Sequence, residues 1–335
     1  MQKVILYTSP SVAELVDEEI PELKSSEVLV KLDRSTISAG TERANLVGDP
    51  NVSPIVGMPV VFPRRSGYSS AGTIAAVSDD VTDFKVGDRV AVSWSSHNQY
   101  CVRHVSTVYK LPDNVSMAAG ALVHIATFPL AAIRKCNLEI GESAVIMGLG
   151  VLGIMSIGLL RAAGAAPIIA VDPVKEKREL AIKLGADYAL DPFEEGFAQR
   201  VKDITSGGAR IALEITGNGK GLDMVLDCMA KFGRVALLGC TRNSDFTIDY
   251  YRKVHGPGIT LVGAHTIARP TACSSHSWWT ERDDAMAVIK LLECGRLDFD
   301  KLVEEVHSPL EATAIYARLA TERAFPIVQF DWTKM

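Results

Sequence analysis

The chain has 335 residues, 47% apolar and 22% charged, with a formal net charge of −5. That length predicts two domains, and that composition predicts a soluble globular protein rather than a disordered or fibrous one. With no basic run, no low-complexity tract and no short repeat, nothing offers an electrostatic footprint for nucleic acid.

Six cysteines (Cys101, Cys136, Cys228, Cys240, Cys273 and Cys294) are widely spaced, with no CxxC pair. They predict free thiols in a reducing, cytoplasmic compartment. The opening MQKVILYTSP is too short and too soon polar to serve as a signal peptide. The first third is β-rich: EVLVKLDRSTIS (27–38), GTIAAVS (72–78) and DRVAVSW (88–94) are alternating or apolar strand patterns, and VGD at 86–88 is a turn. PDNVS (112–116) leads into a helical pattern over 118–136, in which Pro129 predicts a kink or a break.

Near residue 140 the pattern changes. SAVIMG reads as a strand, VLGIMSIGLLRAAG as a helix, PIIAVD as a strand, VKEKRELAIKLG as a helix, ADYAL as a strand and EEGFAQRVKDIT as a helix. IALEIT, GLDMVLDCMAKF, GRVALLGC and GITLVGA continue the alternation. Such alternation predicts βαβ units around a parallel sheet, and near-continuous apolar strands predict a sheet covered on both faces. The uncharged run 143–160 approaches the length of a membrane span. Its glycines at 148, 150 and 153 instead divide it into strand, turn and buried helix, so no membrane association is expected. Two amphipathic helices (283–298 and 309–322) and the strand-like FPIVQFDW (325–332) should return to the first domain, making it discontinuous.

GLGVLG, comprising Gly148, Leu149, Gly150, Val151, Leu152 and Gly153, matches G-x-G-x-x-G between a strand and a helix. Asp172 ends the next strand, 19 residues after Gly153. The first glycine permits the tight turn, the second lets the backbone approach a pyrophosphate, and the third brings helix and strand together. Asp172 would accept hydrogen bonds from the adenosine ribose hydroxyls and repel a 2′-phosphate, which favours NAD over NADP.

The order of these parts resembles the medium-chain dehydrogenase/reductase family, the zinc alcohol and sorbitol dehydrogenase relatives, over essentially the whole chain. STISAGTE (35–42), SGYSSAG (66–72), FKVGDRVAV (84–92), HNQYCV (97–102), KLPDNVS (110–116), GLGVLG and VDPVKEKRELAIKLGAD (171–187) carry the resemblance. It implies an α/β fold with a β-rich GroES-like catalytic domain (1–118 and 266–335) and a Rossmann doubly wound parallel-sheet domain (119–265). SAGTE and the Trp279–Asp284 segment, W-x-x-x-D-D, resemble a zinc-less subgroup near the bacteriochlorophyllide and threonine dehydrogenases.

Zinc members carry G-H-E-x-x-G before this strand, with the histidine on the metal. Here the slot reads Gly67-Tyr68-Ser69-Ser70-Ala71-Gly72. The C-G-[ST]-D slot reads Ala39-Gly40-Thr41-Glu42, and the third ligand region aligns with His124. At most one of three ligand positions keeps a side chain suited to zinc, and the four-cysteine structural lobe is missing, so a zinc-free member is expected. A regrouped metal site from His97, His124 and His265 is the alternative.

Without a metal, a side chain must manage the hydroxyl proton during hydride transfer. The resemblance offers His124 as acid/base, Tyr68 as the group that orients or polarises the oxygen, and Thr41 as the hydroxyl relay. The resemblance puts Trp94 and His97 in the segment that lines the substrate pocket in the family, and a tryptophan there favours a polyol, cyclitol or sugar derivative. By family position Lys177 lies near the adenosine ribose, Thr216 near the cofactor, and Thr127, Ala264 and His265 near the nicotinamide. The segment 258–264 is the expected edge strand of the nucleotide sheet, which predicts a homodimer or homotetramer. The reading is an NAD-dependent secondary-alcohol dehydrogenase. Its rivals are a zinc-free NAD(P)H quinone or enone reductase and a non-catalytic nucleotide-binding protein.

Overall fold

Alternating apolar residues in the segment from residue 27 build the central strand of the β-rich unit in the computed structural model, which describes residues 1–53, 55 and 58–335. Strand Glu27–Thr36 buries Val28, Val30 and Leu32. It pairs antiparallel with Ser69–Val77 on one side, in the register Val28 to Val77 and Ser35 to Ser70, and with Tyr100–His104. The C-terminal strand Val328–Asp331 pairs antiparallel with the same strand, Phe330 opposite Ser35. The tail therefore returns to the first part of the chain. Met1–Ile125 and Ala285–Met335 make one compact unit, and Ala126–Asp284 makes the other. The two chain crossings fall inside the helices Val123–Lys135 and Glu281–Glu293 rather than at 118/119 and 265/266. Each helix begins in one unit and ends in the other, so no composition change marks the crossing.

Two features of this unit were not singled out by pattern. The hairpin Gln2–Ser9 and Val12–Glu18 alternates over too few residues to stand apart from its surroundings. The helix Ala39–Val47 is weakly amphipathic and ends at Gly48, whose φ of 74° lies in the left-handed region.

In the other unit, six parallel strands lie in the order Tyr188–Leu190, Ile168–Val171, Ala144–Met147, Ala209–Glu214, Met229–Leu237, Thr260–Gly263. This is the doubly wound dinucleotide-binding order, with the first strand beside the switch point. Ile146, Ile169, Ala212 and Val235 are fully buried, as a sheet covered on both faces requires. The run 143–160 divides into the strand Ala144–Met147 and the helix Val151–Ala163. Among the described residues no helix is long and apolar enough to cross a membrane.

Two local expectations differ from the structure. The helical pattern over 118–136 breaks at 121–122, between Met117–Gly120 and Val123–Lys135, and the second helix runs through Pro129. The proline costs about 3 kcal/mol. Buried Ile125, Phe128 and Ile133 each contribute about 1.5–3 kcal/mol and outweigh it. The helix expected over 221–232 ends at Asp227, and strand Met229–Leu237 begins at once, with Met229 opposite Ala209. Met229 is buried from the strand side, at a spacing that continues the apolar stripe of the helix, so periodicity alone places it in the wrong element.

Candidate active site

The glycine loop follows the first strand of the parallel sheet. Gly148 has φ near 101°, open to glycine without strain, and a β-carbon there would stand 3.2 Å from Thr216 Cγ2. Gly150 caps the helix Val151–Ala163, and a β-carbon on it would have no neighbour within 4 Å. On Gly153, a β-carbon would stand 2.0 Å from the Gly148 carbonyl oxygen. The first intrahelical bond runs from Ile154 N to Gly150 O, so the amides of Val151, Leu152 and Gly153 form the N-terminal turn. Buried Leu149 donates its amide to Asp172 Oδ2 at 2.8 Å, and Val174 N donates to Oδ1 at 2.9 Å. The carboxylate so tied to the loop has further acceptor sites in kind for two ribose hydroxyls. A close-packed third glycine, an open second one and a helix N-terminus fit a dinucleotide pyrophosphate.

The remaining residues expected at the cofactor are distributed around this sheet. Lys177 is half-buried on the helix Lys175–Lys183. Thr216 packs against Gly148 and is held by Glu214, whose Oε1 accepts its hydroxyl and its amide, the latter at 2.8 Å. Ala264 donates its amide to Leu237 O at 3.2 Å, just beyond the edge strand. His265 takes the Ile267 amide on Nδ1 at 3.3 Å. Burial, with the Lys135 and Arg242 charges, lowers its pKa below the ordinary histidine value. Thr127 is buried and receives Arg269 Nη1 on its hydroxyl at 3.3 Å. Sequence reasoning missed Glu214 and Arg269. Burial pushes the Glu214 carboxyl up. A charged residue inside the apolar run IALEIT was the signal that would have found it.

The second constellation lies within the β-rich unit. Tyr68 follows Gly67 and precedes strand Ser69–Val77, Trp94 follows strand Arg89–Ser93, and His124 is the second residue of its helix. His124 and Ser93 are buried, and Ser93 Oγ and His124 Nδ1 are 2.8 Å apart. The His124 ring meets Trp94 at a centroid distance of 4.6 Å and Tyr68 at 5.6 Å, both near edge-on. The Tyr68 hydroxyl donates to Ser38 Oγ. Ser38 is the N-cap residue of Ala39–Val47, yet its hydroxyl makes no cap bond. Trp94 holds a φ of 56°, rare for a bulky residue, and its carbonyl accepts Arg103 Nε at 2.7 Å. Trp94 as a whole is 40% exposed. Thr41 lies in the first turn of the helix, and its carbonyl accepts Asn45 Nδ2 at 2.8 Å.

His97 is not placed as expected. It is fully buried, with Nδ1 2.7 Å from Ser35 Oγ and Nε2 3.1 Å from Glu42 Oε2. Both ring nitrogens are taken, so it cannot meet a substrate. At the positions that the resemblance aligns with zinc ligands stand a methyl, a phenol and an imidazole (Ala39, Tyr68, His124), of which only the imidazole is a usual zinc ligand. Among the described residues no three His, Cys, Asp or Glu side chains stand where they could hold a metal ion.

Comparison with known proteins agrees with this architecture. Residues 24–137 match the family model for the alcohol dehydrogenase GroES-like domain, and residues 151–278 match that for zinc-binding dehydrogenases. The chain is 28% identical to the L-threonine 3-dehydrogenase of Pyrococcus horikoshii, with 89% of each covered. It is 25% identical to the D-guloside 3-dehydrogenase of Escherichia coli, covering 91% of this chain and 92% of the other. The crystal structure of galactitol-1-phosphate dehydrogenase from Escherichia coli superposes with a TM-score of 0.85 at 19% identity, covering 98% and 99% of the two chains. The protein is an oxidoreductase, and its chain belongs to the medium-chain dehydrogenase/reductase family.

Proposed function

We propose that the protein is a zinc-independent, NAD-dependent dehydrogenase of a secondary alcohol carried on a polyol, cyclitol or sugar derivative. The observation that carries this reading is the pairing of Tyr68 with His124 at former metal-ligand positions, each joined to a serine hydroxyl. His124 removes the hydroxyl proton as the alcohol is oxidised and returns it in the reverse direction, a role that suits an imidazole near neutral pH. Ser93 fixes the ring through Nδ1. Tyr68, oriented by its bond to Ser38, flanks the alcohol oxygen and sets its direction, while the alcohol's single proton goes to His124. Trp94 offers a partly exposed apolar face for a ring to stack on. The bound nicotinamide supplies the hydride acceptor. The glycine loop holds the pyrophosphate, and the Asp172 carboxylate takes the ribose hydroxyls and disfavours a 2′-phosphate.

The exposed residues Thr260, Leu261 and Gly263 on the edge strand support a homodimer or dimer of dimers joined along that edge. Sedimentation at micromolar concentration tests this, and a monomer would overturn it. The six thiols, none of them in a disulfide, support a cytoplasmic location.

The functional test is absorbance at 340 nm with NAD and with NADP, in EDTA, against polyols, cyclitols, sugars and simple secondary alcohols. NADH formation that survives the chelator is the expected result. Silence across the panel with NAD binding intact would refute the reading and favour the enone reductase or a non-catalytic role.

A further inference from the structure

The residue that organises the Tyr68 side of the site touches neither Tyr68 nor, on the reading above, the substrate. Glu42 is 2% exposed. Its Oε1 accepts Ser38 N at 2.9 Å, and its Oε2 accepts His97 Nε2 at 3.1 Å, Tyr7 Oη at 3.1 Å and Tyr316 Oη at 2.5 Å. Burial first, and the Glu42 charge second, hold both phenols well above the ordinary tyrosine pKa, so both stay protonated donors. A carboxylate taken out of water needs such a complement of donors.

Two of these bonds lead to Tyr68 by separate routes. Through the first, Ser38 is fixed, and its hydroxyl receives the Tyr68 proton. Through the second, the His97 ring is fixed against Gly67, the residue before Tyr68. A β-carbon on Gly67 would stand 2.6 Å from His97 Cδ2, and Gly67 holds a φ of 78°. The His97 amide also donates to Ser66 O at 2.9 Å. Beyond His97 the chain of bonds continues to Ser35 and then to Trp332 Nε1, 2.8 Å from Ser35 Oγ, which anchors the imidazole in the core. One carboxylate thus ties the hydroxyl that receives the phenol to the loop that carries it.

We propose that Glu42 is a positioning residue for Tyr68, holding Ser38 and the His97–Gly67 contact in the one arrangement that directs the phenol. The proposal rests on the reading of Tyr68 as a substrate-orienting group, and its test separates the two. The full-length protein is labelled with [13Cζ]tyrosine, and the Tyr68 line is assigned from Tyr68→Phe. In Glu42→Gln the amide offers one acceptor where two oxygens served four donors. The Tyr68 line should move in this variant and move back toward its original position in Glu42→Asp, which restores the carboxylate. Should Glu42→Gln fail to fold, Tyr316→Phe, which removes one donor, should shift the same line in the same direction by less. An unmoved Tyr68 line in the folded variants overturns the proposal whatever the activity. A double-mutant cycle in turnover is the second arm. Glu42→Gln should lower kcat at least tenfold in the wild-type background and by less than twofold in Tyr68→Phe, because the two changes remove one function. Equal losses in both backgrounds would make Glu42 merely structural and overturn the proposal. Full turnover of Tyr68→Phe alone would defeat the functional reading and leave the spectroscopic arm to decide the positioning role.

Discussion

The Tyr68 phenol and the His124 imidazole meet edge to face, their centroids 5.6 Å apart at an interplanar angle of 86°. On the proposed reading this contact sets the orienting tyrosine beside the residue that transfers the proton. His124→Ala should therefore lower turnover by about 10²–10⁴-fold, the span of general acid–base contributions. Tyr68→Phe keeps the ring and removes only the hydroxyl, so a smaller loss, about tenfold, is expected. Steady-state kinetics on the substrate found by the panel checks both. Full turnover in each variant would remove these residues from the chemistry.

The glycine loop makes a paired prediction. Gly153→Ala places a β-carbon 2.0 Å from the Gly148 carbonyl oxygen, a backbone atom that cannot yield without moving the loop. Its melting temperature should fall and NAD binding should be lost. Gly150→Ala meets nothing within 4 Å, and its φ of −70° is open to any residue. This variant should melt with the wild type yet bind NAD at least tenfold more weakly, about 1.4 kcal/mol, because the new methyl occupies the place of closest approach to the pyrophosphate. Calorimetric titration distinguishes the two, and wild-type affinity in Gly150→Ala would argue against a pyrophosphate at this loop.

Trp94 stores backbone strain at the site. A bulky residue at a φ of 56° costs about 1–3 kcal/mol, whereas asparagine tolerates the left-handed region. Relief of that strain in Trp94→Asn should offset much of the packing lost against His124, leaving stability to denaturant within about 1 kcal/mol of wild type. KM for a ring-shaped substrate should nonetheless rise at least tenfold. A stable variant with unchanged KM would make the indole a packing group alone.

The lowered pKa of His265 has a consequence for stability. Burial and the neighbouring Lys135 and Arg242 charges disfavour its protonation in the folded state. The unfolded chain then binds a proton more readily than the folded one below the ordinary histidine value of 6.5. Stability from this group is complete above that value and is lost as pH falls from it toward the lower folded value. His265→Gln cannot take up that proton, so its melting temperature should decline less steeply as pH falls below 6.5. Parallel melting curves for the two proteins across that range would exclude the effect.

Local spacing determined a large part of this protein. The strand–glycine–helix run at 143–160, the acid at 172 and the alternation after residue 140 are patterns a few residues long, set by the periods of helix and strand and by the small menu of turns. They gave the parallel sheet, the dinucleotide loop and the returning tail. The Tyr68 and His124 positions were legible only through resemblance, because neither residue carries a spacing signature of its own.

Tertiary structure decided which partners these groups meet. Tyr68 reaches a serine 30 residues away, and Glu42 reaches Tyr7 and Tyr316, 35 and 274 residues distant. His97 belongs to the same case: a polar residue in a loop segment reads as available for substrate, yet it lies in the core because Ser35 and Glu42 satisfy both its nitrogens there. The physical reason is that burying a polar group is tolerable only when all its bonds are made, and those bonds come from segments that only the packed fold brings together.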